Sequence, residues 1–219
     1  MKKIPTVFVR EFSGHKITAI KPEFTSKECE EAFLFGIPTL KIDGAACAVF
    51  YGKLYKRFDI GKSKHGIPAG MRLIMCEEKP DPVTGHWPAW LECSPANAAD
   101  KWFIEAFKNY YEEWTPSCGP MQWTTYEAIG PHFQGNPYHL EKDTLRRHGA
   151  VDLGGFFPLD DAHREVLATF GELGDRYYAR TFDGVKEFLK DTYCEGIVYW
   201  YKNKPVCKIK RSDFGFKWP

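Results

Sequence analysis

The sequence predicts an α+β fold, with two antiparallel sheets and flanking helices in a single domain over residues 1–219. Short apolar runs bounded by turn residues indicate strands, and a few segments with helical spacing of apolar residues fall between them. The strands and helices do not alternate regularly, as they would in a parallel sheet. Hydrophobic residues make up 43% of the chain, which suffices for a buried core.

The first elements are two short strands joined by a turn, over residues 7–9 and 17–20. A helix follows over 28–35, where Ser26 can cap the N-terminus and Gly36 ends the helix. Next we expect a strand and then a hairpin that turns at Tyr51-Gly52, over residues 39–43, 46–50 and 53–57. A loop rich in glycine, lysine and serine covers residues 61–70.

The remaining elements are strands and helices with one dominant helix over 95–114. That helix has apolar side chains at every fourth position, which predicts a core-facing stripe of Trp102, Ala106, Tyr110 and Trp114. Further strands are expected over 72–76 and 121–129, and a loop-rich stretch over 130–158. Two short helices and a final hairpin complete the chain, over 160–170, 183–190, 197–201 and 205–210.

Charge and cysteine content narrow the class of protein. Thirty basic residues oppose 29 acidic ones, so the chain as a whole is not strongly basic, as many nucleic-acid-binding proteins are. Locally, residues 202–217 carry a net charge of +5, which a solvated edge strand would also explain. The seven cysteines form no C-x-x-C pair, which favours free thiols and a cytoplasmic location. No apolar run reaches the length of about 18 residues that a membrane span needs.

The segment Lys41-Ile42-Asp43-Gly44 is the first candidate for chemistry. In a strand, Lys41 and Asp43 would share one face while Ile42 points into the core. Gly44 would allow the backbone to approach a ligand closely. An unprotonated lysine amine can attack a nucleotide phosphate, so Lys41 is a candidate nucleophile. A surface lysine before a turn would explain the same four residues.

Two segments near the C-terminus suggest groups that bind a nucleotide. In Lys208-Ile209-Lys210, strand alternation places both lysines on one face, where they could hold an α-phosphate. Glu195 could serve Mg²⁺, because this ion prefers oxygen ligands. Ile197 would lie on the same face as Glu195 and could pack against a purine ring. An amphipathic strand and a helix exit are the structural alternatives for these two segments.

In their order along the chain, these segments resemble the motifs of covalent nucleotidyltransferases, which comprise ATP-dependent DNA and RNA ligases and mRNA capping enzymes. Lys41-Ile42-Asp43-Gly44 resembles the motif whose lysine carries the nucleotide, and Tyr126-Glu127 resembles the motif whose acid binds the ribose. Glu195-Gly196-Ile197-Val198 resembles the metal-binding motif, and Lys208-Ile209-Lys210 resembles the motif that contacts the α-phosphate. The resemblance implies Asp43 and Gly44 in the nucleotide site, and ATP with Mg²⁺ or Mn²⁺ as cofactors.

A closer resemblance is to a small family of RNA ligases that includes the vertebrate 5′-to-3′ RNA ligase. It rests on five stretches spread over most of the chain, at 85–90 (GHWPAW), 135–138 (GNPY), 148–150 (HGA), 195–198 (EGIV) and 217–219 (KWP). It implies an ATP-dependent ligase that joins RNA 5′-phosphate and 3′-hydroxyl ends through a lysyl-AMP intermediate. The expected partner is RNA with such ends, with no membrane, and the expected state is a monomer.

One position departs from the ligase pattern. Many ligases carry an arginine two residues after the glycine of the lysine motif, where this chain has Ala46. Arg57, on the returning strand of the predicted hairpin, is expected to replace that arginine, and an ion pair with Asp59 is the alternative. Two other functions are also compatible with the sequence: a GTP-using capping-type transferase, and a non-catalytic RNA-binding protein with a degenerate nucleotide pocket.

Overall fold

A computed structural model describes residues 3–14, 16–62, 70, 72–112, 123–149 and 180–218. In these residues the chain combines α-helices with antiparallel sheets, which confirms the α+β class. The chain divides into two compact units, each formed by separate segments. Unit 1 contains Asp43–His148 with the first three residues of the chain, and unit 2 contains Ile4–Ile42 together with Gly149–Pro219.

Eleven strands and three α-helices occur in the described ranges. The strands are β1 (Phe8–Ser13), β2 (Lys16–Phe24), β3 (Ile37–Lys41), β4 (Ala45–Phe50), β5 (Lys53–Asp59), β6 (Leu73–Met75), β7 (Pro88–Glu92), β8 (Thr124–Ile129), β9 (Thr144–Arg147), β10 (Gly196–Tyr201) and β11 (Lys204–Lys210). The helices are α1 (Lys27–Phe35), α2 (Lys101–Glu112) and α3 (Phe182–Asp191). The predicted helix over 160–170 and most of the predicted loop over 61–70 lie outside the described residues.

Unit 2 contains a three-stranded sheet in the order β11-β10-β3 and the two-stranded sheet β1-β2. Helix α1 packs against the three-stranded sheet, where the rings of Phe33 and Tyr199 lie with centroids 5.1 Å apart. Ile197, Tyr199 and Ile209 from the sheet have no exposed surface. One face of this sheet is therefore part of the hydrophobic core of unit 2.

Both helices of unit 2 have a side chain that caps the N-terminus, and for α1 this is the predicted Ser26. Ser26 Oγ accepts a hydrogen bond from the Cys29 amide at 3.2 Å, and Thr181 Oγ1 accepts one from the Gly184 amide at 3.0 Å. Helix α1 ends at Gly36, as predicted. A Cβ at Gly36 would lie 2.5 Å from the Trp200 carbonyl oxygen, so no larger residue fits at this helix end.

Unit 1 contains a six-stranded antiparallel sheet in the order β6-β7-β5-β4-β8-β9. Helix α2 packs its Trp102, Ala106 and Tyr110 against one cluster of buried strand side chains, Cys47, Val49, Leu54, Tyr126, Ala128 and Leu145. The predicted stripe is thus core, although its last member, Trp114, lies outside the described residues. The helix begins later than predicted, because a 3₁₀ turn at Ala98–Asp100 precedes it.

The sequence analysis missed two strands of unit 1. Strand β7 begins with a proline and has four consecutive buried residues, so it lacks the alternation that reveals a strand with one exposed face. In the sheet it lies between β5 and β6, so both of its edges are paired. Strand β9 is only four residues long and falls within the stretch that was predicted to be loop-rich.

Candidate functional site

Three of the predicted lysines lie on one face of the sheet in unit 2. Gly196 of β10 pairs with Lys41 of β3 on one side and with Lys210 of β11 on the other. Val198 pairs in the same way with Lys208. Residues that pair across antiparallel strands point to the same face, so Lys41, Lys208 and Lys210 share one face. The alternation predicted for Lys208-Ile209-Lys210 is confirmed, because Ile209 is buried on the other face.

Glu195 joins two of these lysines. Its Oε2 contacts Lys41 Nζ, and its Oε1 lies 2.5 Å from Lys210 Nζ. The carboxylate is 7% exposed, whereas the side chains of Lys41 and Lys210 are 19% and 30% exposed. We call these three residues the lysine–glutamate cluster. It carries a net charge of +1 and exposes ammonium groups above a buried carboxylate, which is an arrangement suited to a phosphate group.

Gly196 allows the lysine–glutamate cluster to form. A Cβ at this position would lie 2.9 Å from Lys210 Cα and would overlap the Ile209 carbonyl oxygen. Any side chain would therefore push strand β11 away from β10 and move Lys210. From the sequence, the motif Glu195-Gly196-Ile197-Val198 gave no role to its glycine. The close approach of the β10 and β11 backbones explains why glycine is needed there.

The structure corrects the role expected for Ile197. This side chain has no exposed surface, and it pairs with Leu40 and Ile209 on the face opposite the lysines. The shared face with Glu195 was expected because strand alternation was extended back to that residue. Strand β10, however, begins at Gly196, so Glu195 precedes it and does not follow its alternation. Ile197 therefore belongs to the hydrophobic core of unit 2 and offers no surface to a purine.

The backbone around the two C-terminal lysines is held by groups outside the motif. The Lys208 amide donates to the Pro5 carbonyl oxygen at 3.0 Å, and its own carbonyl oxygen accepts from the Val7 amide at 2.9 Å. The Lys210 amide donates to Asp213 Oδ2 at 2.8 Å, while Arg10 contacts the other oxygen of this buried carboxylate. Asp213 stands three residues after Lys210, the spacing of a capping box, and this spacing is the signal that could have revealed it.

Asp43 and Gly44, the last two residues of the predicted lysine motif, lie in unit 1. Strand β3 ends at Lys41, so the alternation predicted through Asp43 does not extend that far, although Ile42 is buried as expected. The Asp43 amide donates to the hydroxyl of Tyr138 at 2.6 Å. A Cβ on Gly44 would lie 2.5 Å from the Ala128 carbonyl oxygen, so glycine is required for this segment to lie against β8.

Glu127 lies on β8 opposite Ala46 and is paired with a histidine. Its Oε1 lies 3.1 Å from His148 Nε2, and the two side chains are 13% and 15% exposed. Its second oxygen, Oε2, and His148 Nδ1 are buried and have no hydrogen-bond partner in the described part of the chain. Buried polar atoms normally have a partner, so this pair is suited to a ligand that brings hydrogen-bonding groups, such as a ribose.

Arg57 lies on β5 and pairs in register with Trp90 of β7. Its guanidinium carbon is 5.9 Å from the centre of the Trp90 ring, within the range of a cation–π contact. The carboxylate of Asp59, which was the alternative partner of Arg57, accepts from the Trp87 amide at 2.9 Å and contacts His86 Nδ1. His86 and Trp87 of the GHWPAW stretch therefore have a structural role, because Asp59 contacts both of them.

The described residues contain no group of three or more His, Cys, Asp or Glu side chains that could hold a metal ion. Glu195 is the residue that the sequence led us to expect as the carboxylate ligand of Mg²⁺ or Mn²⁺. Such a site fits the chemistry of Mg²⁺, which commonly takes one or two carboxylates, keeps several waters and binds substrate phosphates. Both oxygens of Glu195 face lysines, so a metal would share the carboxylate with them.

A scan against protein-family models finds no family that matches this chain, and a search of the curated proteins finds no relative. Across the described ranges, none of the helices combines the length and the apolar character needed to cross a membrane. Each unit is described by its own geometry: unit 2 has a cationic cluster around a buried carboxylate, and unit 1 has a Glu–His pair.

Proposed function

We propose that this protein is an ATP-dependent RNA ligase that joins RNA 5′-phosphate and 3′-hydroxyl ends, with Lys41 as the residue that accepts AMP. The observation that carries the proposal is the lysine–glutamate cluster. Lys41 and Glu195 are 154 positions apart in the sequence, yet their side chains are in contact, and Lys210 contacts the same carboxylate. The order of the motifs in the sequence and this contact both support a common site for the three residues.

In the proposed first step, the amine of Lys41 forms a bond to the α-phosphorus of ATP, and the bond from this phosphorus to the pyrophosphate oxygen breaks. Pyrophosphate leaves, and the amine loses a proton to solvent. Lys208 and Lys210 stabilise the charge on the α-phosphate. Lys41 Nζ contacts Glu195 in the structure, so this contact must break before the amine can reach the phosphorus.

The remaining steps transfer the AMP and seal the RNA. An oxygen of the RNA 5′-phosphate attacks the adenylate phosphorus, the bond to Lys41 breaks, and the lysine regains a proton. A 3′-hydroxyl then attacks the activated 5′-phosphate, which forms the phosphodiester bond and releases AMP. Mg²⁺ or Mn²⁺, held by Glu195, would supply charge neutralisation on the phosphates. The protein's own contribution is positioning and charge stabilisation.

Unit 1 contributes further residues to the proposal. The unfilled acceptor atom of Glu127, beside His148, suits a ribose hydroxyl as its hydrogen-bond donor. Many ligases carry an arginine where this chain has Ala46. Arg57 is proposed to take the role of that arginine and contact the phosphates. We also propose that the protein is a monomer. An intracellular location is proposed because the six cysteines in the described ranges are all free thiols, as expected in a reducing compartment.

Intact-mass spectrometry after incubation with ATP and Mg²⁺ tests the proposal. The expected result is a gain of one AMP that is absent in Lys41→Ala. Lys204→Ala is the matched control, because Lys204 is a lysine of the same sheet whose side chain is 61% exposed and pairs only at the surface with Glu28. It should retain the adduct.

The same experiment separates the alternatives. An adduct that forms only with GTP would contradict the ATP-dependent ligase and support a capping-type transferase. Binding of RNA without any adduct would support a non-catalytic RNA-binding protein. An AMP adduct that persists in Lys41→Ala would place the nucleophile elsewhere.

A further inference from the structure

We propose that Tyr138 is a positioning residue, which fixes the backbone of Asp43 and thereby limits the freedom of Lys41; this inference rests on the role proposed for Lys41. The Tyr138 hydroxyl accepts a hydrogen bond from the Asp43 amide at 2.6 Å, and Tyr138 is 4% exposed. Asp43 is joined to Lys41 through Ile42 alone, and Ile42 is itself buried. The contact gives a role to the GNPY stretch, whose last residue is Tyr138.

The loop that carries Tyr138 is closed tightly at its base. We call residues 130–143, between β8 and β9, the β8–β9 loop. Asp143 accepts a hydrogen bond from the His132 amide at 3.1 Å, and its other carboxylate oxygen lies 2.7 Å from His132 Nδ1. Asn109 of α2 donates to the Asp143 carbonyl oxygen at 2.8 Å. Gly130 has a φ of 131°, and a Cβ there would lie 2.6 Å from Asp143 Cα. The two ends of the loop are therefore locked to each other.

The middle of the β8–β9 loop is equally constrained. The side chain of Asn136 bonds both backbone groups of Leu140, at 2.9 and 3.0 Å. Gln134 and His139 adopt positive φ values of 48° and 52°, which cost about 1–3 kcal/mol each and persist only where the surroundings impose them. A loop with this backbone holds one conformation, so the Tyr138 hydroxyl has a defined place.

The β8–β9 loop makes a second contact with the same segment. Gln134 Nε2 donates to the Gly44 carbonyl oxygen at 3.4 Å, although the Gln134 side chain is otherwise exposed. Asp43 and Gly44 thus have one backbone group each bonded to a side chain of a rigid loop. Removal of either side-chain group should loosen the segment that follows Lys41 without removing any group that is proposed to contact a nucleotide.

Tyr138→Phe tests the inference, because it removes only the hydroxyl and keeps the ring in the core. A typical hydrogen bond stabilises by about 1 kcal/mol, so we expect hydrogen exchange at the Asp43 amide, followed by NMR, to accelerate about fivefold to tenfold. In single-turnover measurements the maximal rate of lysyl-AMP formation should fall by about the same factor. The ATP concentration at half-maximal rate should change less than the maximal rate, because Tyr138→Phe removes none of the groups that are proposed to contact the nucleotide.

Tyr51→Phe is the matched control, because Tyr51 is 79% exposed and belongs to the same unit. It should leave both measurements unchanged.

Two results would overturn the inference. One is an exchange rate at the Asp43 amide of Tyr138→Phe equal to that of the wild type, and the other is a rise in the half-maximal ATP concentration at an unchanged maximal rate. If Tyr138→Phe does not fold, Gln134→Ala takes its place: faster exchange in the Asp43-Gly44 segment supports the inference, and unchanged exchange contradicts it. Absence of any AMP adduct in the wild type would contradict the proposed ligase function alone, since the exchange measurement still reports on the contact.

Discussion

Lys210 Nζ, at the end of β11, lies 2.5 Å from Oε1 of Glu195, the residue that precedes β10. The carboxylate is buried, and Lys41 contacts its other oxygen, so a single side chain holds two cations that would otherwise repel each other. Glu195 is therefore needed both for the stability of this face and for the placement of the proposed nucleophile. The following predictions separate these two contributions.

Glu195→Gln should abolish most of the lysyl-AMP formation and lower stability. The amide keeps the shape of the side chain but removes its charge, and charge-assisted hydrogen bonds contribute about 1.5–3 kcal/mol. We expect a loss of about 1–3 kcal/mol in the free energy of unfolding, measured with urea, because the lysines are partly exposed. Adduct formation should fall at least about 100-fold. The exposed Glu187→Gln is the control, and equal adduct rates in the two variants would contradict the role of Glu195.

Lys208→Ala should reduce adduct formation without a comparable loss of stability. The hydrogen bonds that hold Lys208 to Pro5 and Val7 use its backbone, which the substitution retains. We expect the urea midpoint to stay close to that of the wild type, while the rate of AMP transfer from ATP to Lys41 falls about tenfold or more. Normal adduct formation and normal sealing of RNA ends by Lys208→Ala would remove this residue from the site.

Ile197→Val tests whether Ile197 packs in the core or against a nucleotide. A buried isoleucine that loses one methyl group costs about 0.5–1.5 kcal/mol of stability. Because Ile197 lies on the face opposite the lysines, the ATP concentration at half-maximal rate should not change. A higher half-maximal concentration without a loss of stability would restore the purine contact that the sequence suggested.

Three cysteines whose pKa is raised by burial should resist thiol reagents in the folded protein. Burial raises the pKa of Cys93 and of Cys194 to about 12, and it raises the pKa of Cys47 as well. At pH 8 these groups are protonated thiols, and the thiolate is the reactive form. Modification followed by peptide mass spectrometry should therefore label the half-buried Cys76 before these three cysteines. These three should react only after unfolding in urea, and rapid labelling of folded Cys47 at pH 8 would show that it is accessible and ionised.

Local patterns in the sequence predicted the elements that depend on neighbouring residues. The capping residues Ser26 and Gly36 located α1, and the turn at Tyr51-Gly52 located the hairpin of β4 and β5. Strand β7 was missed because its burial on both faces removes the alternation that indicates a strand. Glu195 was expected to share a face with Ile197, but it precedes β10 and does not follow the alternation of the strand, so its carboxylate contacts the lysines while Ile197 is buried on the opposite face.

By itself, the sequence determined the α+β class and placed Lys208 and Lys210 on one face of a strand, because both follow from the spacing of nearby residues. Only the tertiary structure decided that Glu195 contacts Lys41, since that contact depends on how β3 pairs with β10 across 154 positions. The hydrogen bond from the Asp43 amide to the Tyr138 hydroxyl likewise joins distant segments, and only the tertiary structure revealed it. Strand register and loop closure are set by packing between distant segments, and no local pattern in the chain encodes them.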